Sequence, residues 1–315
     1  MIQGYEDLRE GVAWIDLTQR GKLKITGEDR VRLLHAMTTN NVAALADGQG
    51  LYAFFLTAQG RIIADVNLFR LPDFLLLDLE PEQTAKIHEH LDKYIIADDV
   101  TVEDITADLV TVGLEGPRAE EVLKTLGAPV PAAPWAIASW GNRWVATVSA
   151  TGGPGFSIFL PATERPELLQ QLEQAGVRQA SVEAVRTVRL ENGKPRYGED
   201  ITERHLAQET RQMHAVSFQK GCYLGQEIVE RVRSRALLHR SFAHFTLNTA
   251  EVPPPGTEIH SDGQKVGEIT SAAYSPALGK VVALGYLRLD FFKPNAPLTA
   301  PGDIAVQVRE LPAGG

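Results

Sequence analysis

Short apolar runs separated by turn residues divide the chain into two textures. Up to about residue 238, strand-like and helix-period runs are interleaved; after His239 only short alternating strands remain. Val12 to Leu17 and Lys22 to Thr26 read as strands joined by a turn at Gln19-Arg20-Gly21. Gly27-Glu28-Asp29 opens a helix with Val31, Leu34 and Met37 as its buried stripe, and Thr38-Thr39-Asn40-Asn41 ends it. Tyr52 to Thr57 and Arg61 to Phe69 predict a hairpin turning at Ala58-Gln59-Gly60. Period two along the return strand places Ile63 and Asp65 on one face, and Ile62, Ala64 and Val66 on the other. A carboxylate in a mostly apolar strand needs water, a polar partner or a site.

Phe74 to Leu79 continues as a strand, and Thr84 to Ile96 as a helix with Ile87, Leu91, Tyr94 and Ile95 on one face. His88 and His90 lie two apart and so point away from each other on that helix, which makes them surface histidines rather than metal partners. Strands are expected at Leu109 to Leu114, Arg143 to Ser149 and Phe156 to Leu160. Helices are expected at Arg118 to Leu126, Pro166 to Ala175 and Ser181 to Leu190, the last with Val182, Val185 and Val188 or Arg189 inward. Pro129 to Pro134 reads as a crossover between subdomains. Gly152-Gly153-Pro154-Gly155 lacks the Gly-Lys-Ser/Thr ending of a phosphate loop and leads into a strand, so it is a turn. Thr202 to His214 is polar and irregular or loosely helical. Ser241 to Leu247, Thr257 to His260, Gln264 to Ala273, Lys280 to Leu289 and Ile304 to Val308 have the spacing of a small antiparallel barrel or sandwich. Pro312 to Gly315 reads as a mobile tail.

Length and charge narrow the function classes. A chain of 315 residues has room for a sizeable core and more than one domain. Its 44% hydrophobic and 23% charged residues are ordinary for a soluble globular protein. A net charge of −9 argues against direct nucleic-acid binding, which needs a positive patch. Arg231, Arg233, Arg235 and Arg240 offer only a local cluster, which reads first as a solvated face or a set of ion pairs. Met1 to Arg9 is polar and lacks the apolar stretch of a signal peptide. No apolar run reaches the roughly 18 residues a membrane span needs, so a cytoplasmic protein with no membrane partner is expected. A single cysteine excludes an internal disulfide and any four-thiolate metal or iron–sulfur site built from one chain, and no metal ligand set is predicted.

That cysteine sits in Lys220-Gly221-Cys222-Tyr223-Leu224-Gly225-Gln226-Glu227, ahead of a short amphipathic helix carrying Ile228, Val229 and Val232 whose start is expected near Cys222. On composition alone a lone cysteine reads as a buried small hydrophobe. Lys220 offers a cation that would lower the thiol pKa. The whole string resembles the signature Lys-Gly-Cys-Tyr/Phe-x-Gly-Gln-Glu of the YgfZ-type folate-binding proteins, relatives of the glycine-cleavage aminomethyltransferase (T-protein). The resemblance runs from about Gly11 to Val308. Thr39-Asn40-Asn41-Val42 is similar to the family's Thr-Asn-Asp-Val. Gly60 to Asp65 resembles Gly-Gly-x-x-Asp-Asp, with Ala64 in place of one acid. Arg189-Leu190-Glu191, Gly193 and Tyr197-Gly198-Glu199-Asp200 resemble Arg-Leu-Glu-x-Gly…Tyr-Gly-x-Asp, and Gly267 to Ser271 resembles a string in the T-protein's C-terminal barrel.

The resemblance implies an α+β fold: a T-protein-like folate-binding region of two ferredoxin-like subdomains, taken as residues 1–238, and a C-terminal antiparallel β-barrel, residues 239–315. It implies tetrahydrofolate or a one-carbon derivative as cofactor, bound in a central cavity where these pieces meet. Glu191 would bind the pterin, Asp65 would lie near N5 and N10, and Tyr197 belongs to the same motif as Glu191. Arg231 and Arg233 are candidates for the folate's glutamate tail, and Cys222 for a thiolate at the cavity rim. The role implied first is support of iron–sulfur cluster assembly or repair in client enzymes, including tRNA-modifying ones, with those enzymes or cluster-assembly proteins as partners. The alternative is a folate-dependent aminomethyl- or methyltransferase, against which Ala64 and the Cys222 signature, which T-proteins lack, both weigh; a third reading is a scaffold with a vestigial pocket.

Overall fold

The computed structural model describes residues 2–235, 238–293 and 296–310; the expected mobile tail, Pro312 to Gly315, lies outside them. In chain order the elements are α1 (Tyr5–Glu10), β1 (Ala13–Asp16), β2 (Gly21–Thr26), α2 (Arg30–Met37), β3 (Gly50–Leu56), β4 (Ile62–Arg70), β5 (Leu75–Leu79), α3 (Thr84–Asp92) and β6 (Thr101–Asp104). There follow β7 (Leu109–Glu115), α4 (Ala119–Thr125), β8 (Ile137–Trp140), β9 (Arg143–Ala146), β10 (Gly155–Pro161), α5 (Arg165–Gln174), β11 (Arg178–Gln179), α6 (Val182–Glu191) and α7 (Gln226–Arg235). The remaining strands are β12 (Arg240–Leu247), β13 (Glu258–Ser261), β14 (Gln264–Ser275), β15 (Lys280–Arg288), β16 (Leu298–Ala300) and β17 (Ile304–Arg309).

These elements make two sheets and a barrel, an α+β fold. The first sheet has the order β3-β4-β5-β2-β6, the second β11-β1-β7-β10-β9-β8, and β12 to β17 close into an antiparallel barrel. Each sheet buries one face under two helices. Leu33, Leu34 and Met37 of α2 with Ile87 and Leu91 of α3 cover the first; Leu123 of α4 with Leu168 and Leu172 of α5 cover the second. Further along, the two sheets meet each other through Phe69, Leu76, Phe159 and Ile137. Phe69 and Phe159 pack edge-to-face at 5.6 Å, an arrangement worth about 0.5–1.5 kcal/mol beyond the area it buries.

The barrel docks through β15 and α6: Leu190 joins Phe242, Val282, Leu284 and Tyr286 in one buried cluster. Tyr286 donates its hydroxyl to the Asp200 carbonyl at 3.0 Å and lies flat against His205, with ring centres 4.1 Å apart.

The pattern of apolar positions misplaces several details. β1 and β2 do not pair; they enter different sheets, because β1 takes β7 and β11 as neighbours while β2 takes β5 and β6. α3 ends at Asp92, four residues before the expected Ile96, and Ile96 is 89% exposed. Val182 opens α6 but faces solvent, at 86% exposure, instead of the core. The barrel has a sixth strand, β16, that its three residues were too few to announce. His88 is half-buried beside Asp92, and His90 packs on Phe55 and Tyr94, so neither is simply a surface residue.

Candidate functional site

The β3–β4 hairpin forms as expected, but with a bulge that changes which side chains share a face. The register runs Phe54 opposite Asp65 and Phe55 opposite Ala64, then jumps to Leu56 opposite Ile62. The extra residue turns Ile63 into the helix-side core with Ala64 and Val66, while Ile62 joins Phe54 and Leu56 on the other side. Asp65 therefore shares its face with Ile62 and Asn67, not with Ile63. Tyr197 holds the bulge: its buried hydroxyl donates to the Ile62 carbonyl at 3.1 Å. Ala64 is fully buried in the opposite core, so an acid there would point away from Asp65.

Among the described residues Asp65 accepts one hydrogen bond, from the Tyr52 hydroxyl at 2.7 Å. Burial raises its pKa to about 6, and Glu80 adds to the rise; Tyr52, Arg20 and Lys194 pull the other way. Arg20 is held by Asp78 at 2.8 Å and Glu80 at 2.5 Å, and Arg196 also reaches Glu80, at 2.9 Å. Lys194 donates to the Ser149 carbonyl. The result is a carboxyl that can gain or lose a proton near neutral pH.

Three aromatic rings gather beside it. Tyr52 lies 6.3 Å from Trp135 and 5.3 Å from His214, Trp135 lies 5.4 Å from His214, and the planes are 29°, 30° and 31° apart. Tyr52 and Trp135 are half-buried and His214 is exposed, so the group can be reached from solvent. Trp135 comes from the crossover after Pro134. Its φ is 56°, a backbone conformation rare for a bulky residue. Neighbours hold it there: its amide donates to Thr147 at 3.1 Å, its indole N–H to Asn67 at 3.0 Å, and Asn67 in turn to Asp78 at 3.0 Å. A bulky residue strained in this way is often found at a binding site. Sequence reasoning missed Trp135 and His214; an aromatic in a Pro/Ala crossover was the available signal.

In the Cys222 segment it is the lysine that departs from the expectation. Cys222 is free and exposed, as an accessible thiol must be, and α7 begins at Gln226, ahead of Ile228, Val229 and Val232. Lys220 does not serve the thiol: its ammonium is bonded to the carbonyls of His35, Thr38 and Asn40 at the end of α2. The two glycine motifs meet: Gly225 has φ 84°, and a Cβ there would stand 2.5 Å from the Thr57 carbonyl. A Cβ at Gly60, φ 72°, would stand 2.8 Å from Ile228. The signature thus packs on the hairpin that carries Asp65. On α7, Arg231 is exposed, and Arg233 pairs with Glu230 at 2.9 Å and lies over Phe218. The Arg235 side chain is not among those described.

Glu191 stands at the end of α6, where its carboxylate accepts from Tyr5 at 2.5 Å and Ser275 at 2.6 Å and faces Arg9 at 3.3 Å. None of these partners bonds to Asp65. Asp200, from the same motif, is fully buried and accepts from Arg189 at 2.7 Å, the Arg196 amide at 3.0 Å, Thr270 at 2.6 Å and Ser271 at 2.5 Å. The Tyr-Gly-x-Asp string and the barrel's Thr270-Ser271 are thus two halves of one contact.

The fold and these motifs agree with what the chain resembles. It belongs to the family of the GCVT N-terminal domain, whose model matches residues 1–220, and the glycine cleavage T-protein C-terminal barrel domain matches residues 240–312. Among curated relatives, the aminomethyltransferase of Rubrobacter xylanophilus is 28% identical over 98% of this chain and 82% of its own length. That of Thermosynechococcus vestitus is 29% identical over 98% and 84%. The crystal structure of the glycine cleavage system aminomethyltransferase T from Bartonella henselae superposes with a TM-score of 0.91, covering 99% of this chain and 88% of that one at 21% identity, a likeness of fold. Among the described residues no helix is long and apolar enough to cross a membrane.

Proposed function

We propose that this protein binds a reduced folate on the aromatic face beside Asp65 and acts as a folate-dependent aminomethyl- or one-carbon transferase. The observation that carries the reading is the pairing of three solvent-reachable rings, their planes 29–31° apart, with a carboxyl of pKa about 6. A flat heterocycle with ring N–H groups calls for a π surface and an acceptor at its edge, and these residues fit that demand. Tetrahydrofolate, when bound, supplies the nitrogens that carry a one-carbon unit. Tyr52 and Trp135 would bear the ring, Asp65 would hold or take a proton at its edge, and Tyr52 would keep Asp65 oriented. The Tyr5 and Ser275 bonds both fall on Glu191 Oε1, so Oε2, beside Arg9, is the oxygen that could meet a ligand, and Arg231 is the more exposed candidate for the glutamate tail, since Arg233 pairs with Glu230. That the relatives are aminomethyltransferases supports this order of hypotheses, and Ala64 counts for little against it, since it faces the other core. With this reading goes the division into a folate-binding region, residues 1–238, and a barrel domain, residues 239–315, in a cytoplasmic protein.

One observation favours a second reading, the YgfZ-type support of iron–sulfur enzymes: Cys222 is exposed on the surface, where a client or cluster-assembly protein could meet it. The two are separated by assaying methylene-tetrahydrofolate formation from an aminomethylated lipoyl carrier. The transferase reading expects turnover that falls at least about 100-fold in Asp65→Asn and is untouched in Cys222→Ser. Absence of turnover in the wild type, with Cys222→Ser failing to restore cluster enzymes in a deletion strain, would replace it with the second.

A further inference from the structure

The last helix carbonyls have no partner within their own helix, and a left-handed glycine often closes such an end. α2 closes otherwise. Thr38 follows it in extended conformation, at φ −118° and ψ 159°, and the carbonyls of His35, Thr38 and Asn40 converge on the Lys220 ammonium, the last two at 2.6 and 2.8 Å. A cation at a helix C-terminus is favoured by the helix dipole. Burial draws the pKa of Lys220 down to about 7, and three carbonyl acceptors work against that by favouring the charged form. The Tyr223 ring lies 4.9 Å from the same ammonium.

The segment so gathered reaches the aromatic face. The Asn40 side-chain amide donates to the Tyr52 carbonyl at 2.8 Å and to the His214 carbonyl at 2.9 Å. Thr39 accepts from the Phe54 amide at 2.9 Å and donates to the Ala215 carbonyl at 2.6 Å. Two of the three rings therefore hang on residues 39–40, and these residues on Lys220.

We propose that Lys220 is a positioning residue for the aromatic face at Asp65, acting through Asn40, and that the Lys-Gly-Cys segment is coupled to that face by its lysine and not by its thiol. The ammonium fixes the 38–40 carbonyls; Asn40 then fixes the separation of Tyr52 and His214, and with it the surface a flat ligand meets. Only the affinity readout rests on the folate reading.

The test compares full-length Lys220→Met, Asn40→Ala and Cys222→Ser with wild type. The first readout needs no ligand: the indole N–H resonance of Trp135 and the ring resonances of Tyr52 and His214. The second is the Kd for tetrahydrofolate. Lys220→Met and Asn40→Ala are expected to shift the same three sets of resonances and to weaken binding about 10- to 100-fold, whereas Cys222→Ser changes neither. Asn40→Ala keeps the Lys220 contacts and tests the link from Asn40 to the rings; should Lys220→Met fail to fold, Lys220→Gln, neutral and shorter, takes its place, and wild-type resonances in it would overturn the proposal. Wild-type resonances in Asn40→Ala would overturn the proposal. Shifted resonances together with no tetrahydrofolate binding by the wild type would overturn the folate reading and leave the tether standing.

Discussion

Asp65 and Asp200 are two carboxylates set into the same region of the fold, and their surroundings are opposite. Asp200 has no exposed surface and four donors, from α6, from its own loop and from the barrel. Among the described residues Asp65 has one donor, the Tyr52 hydroxyl, with the Glu80 carboxylate nearby and a pKa raised to about 6. A carboxylate with every lone pair matched joins parts of a fold; one left short of donors remains available for chemistry, and its ionisation opposes folding. Glu115 repeats the first case, fully buried and bonded by Ser149, Ala150 and Thr151. Sequence motifs single out both Asp65 and Asp200; their donors separate them.

The largest effect expected of this comparison is at Asp200. Asp200→Ala leaves Thr270 and Ser271 without their acceptor and removes one of the partners of the buried Arg189. It should cost about 3–5 kcal/mol, read by urea denaturation, and loosen the barrel. A cost below about 1 kcal/mol would break the comparison from the structural side.

A smaller effect of opposite sign is expected at Asp65. Burial holds its folded pKa, about 6, above the ordinary carboxylate value of about 3.9. The protonated form therefore stabilises the fold fully below about pH 4, and that contribution is lost as pH rises through about 6. Asp65→Asn keeps a neutral side chain at every pH. It should exceed wild type in stability by about 1–2 kcal/mol at pH 8, discounted for partial exposure, with the gap closing toward pH 4. Thermal unfolding across that range checks it, and a variant less stable than wild type at pH 8 would place Asp65 with Asp200.

Much of the frame was legible in the chain. The hairpin, α2, the helices of the second half and five barrel strands follow from local periodicity and turn residues, which act over a few positions. The bulge at Ile63 was not, because strict alternation has no term for the Tyr197 hydroxyl that holds the Ile62 carbonyl from 135 residues away. Nor was the parting of β1 and β2, which their partners decide. The site was half legible. Asp65 stood out as a charge in an apolar strand, but the rings beside it come from β3, the crossover and the segment before Cys222, and only the fold assembles them. Lys220 was noticed for its nearness in sequence to Cys222, yet its partners lie about 180 residues earlier.

The central claim is that the rings beside Asp65 form the binding face for a reduced folate. Calorimetric titration with tetrahydrofolate, on wild type and on Trp135→Ala, tests it most directly. Wild type is expected to bind, and the variant to bind at least about tenfold more weakly, since base–aromatic stacking is worth about 1–3 kcal/mol. Equal affinity in the two proteins, or no binding by a folded wild type, would contradict it.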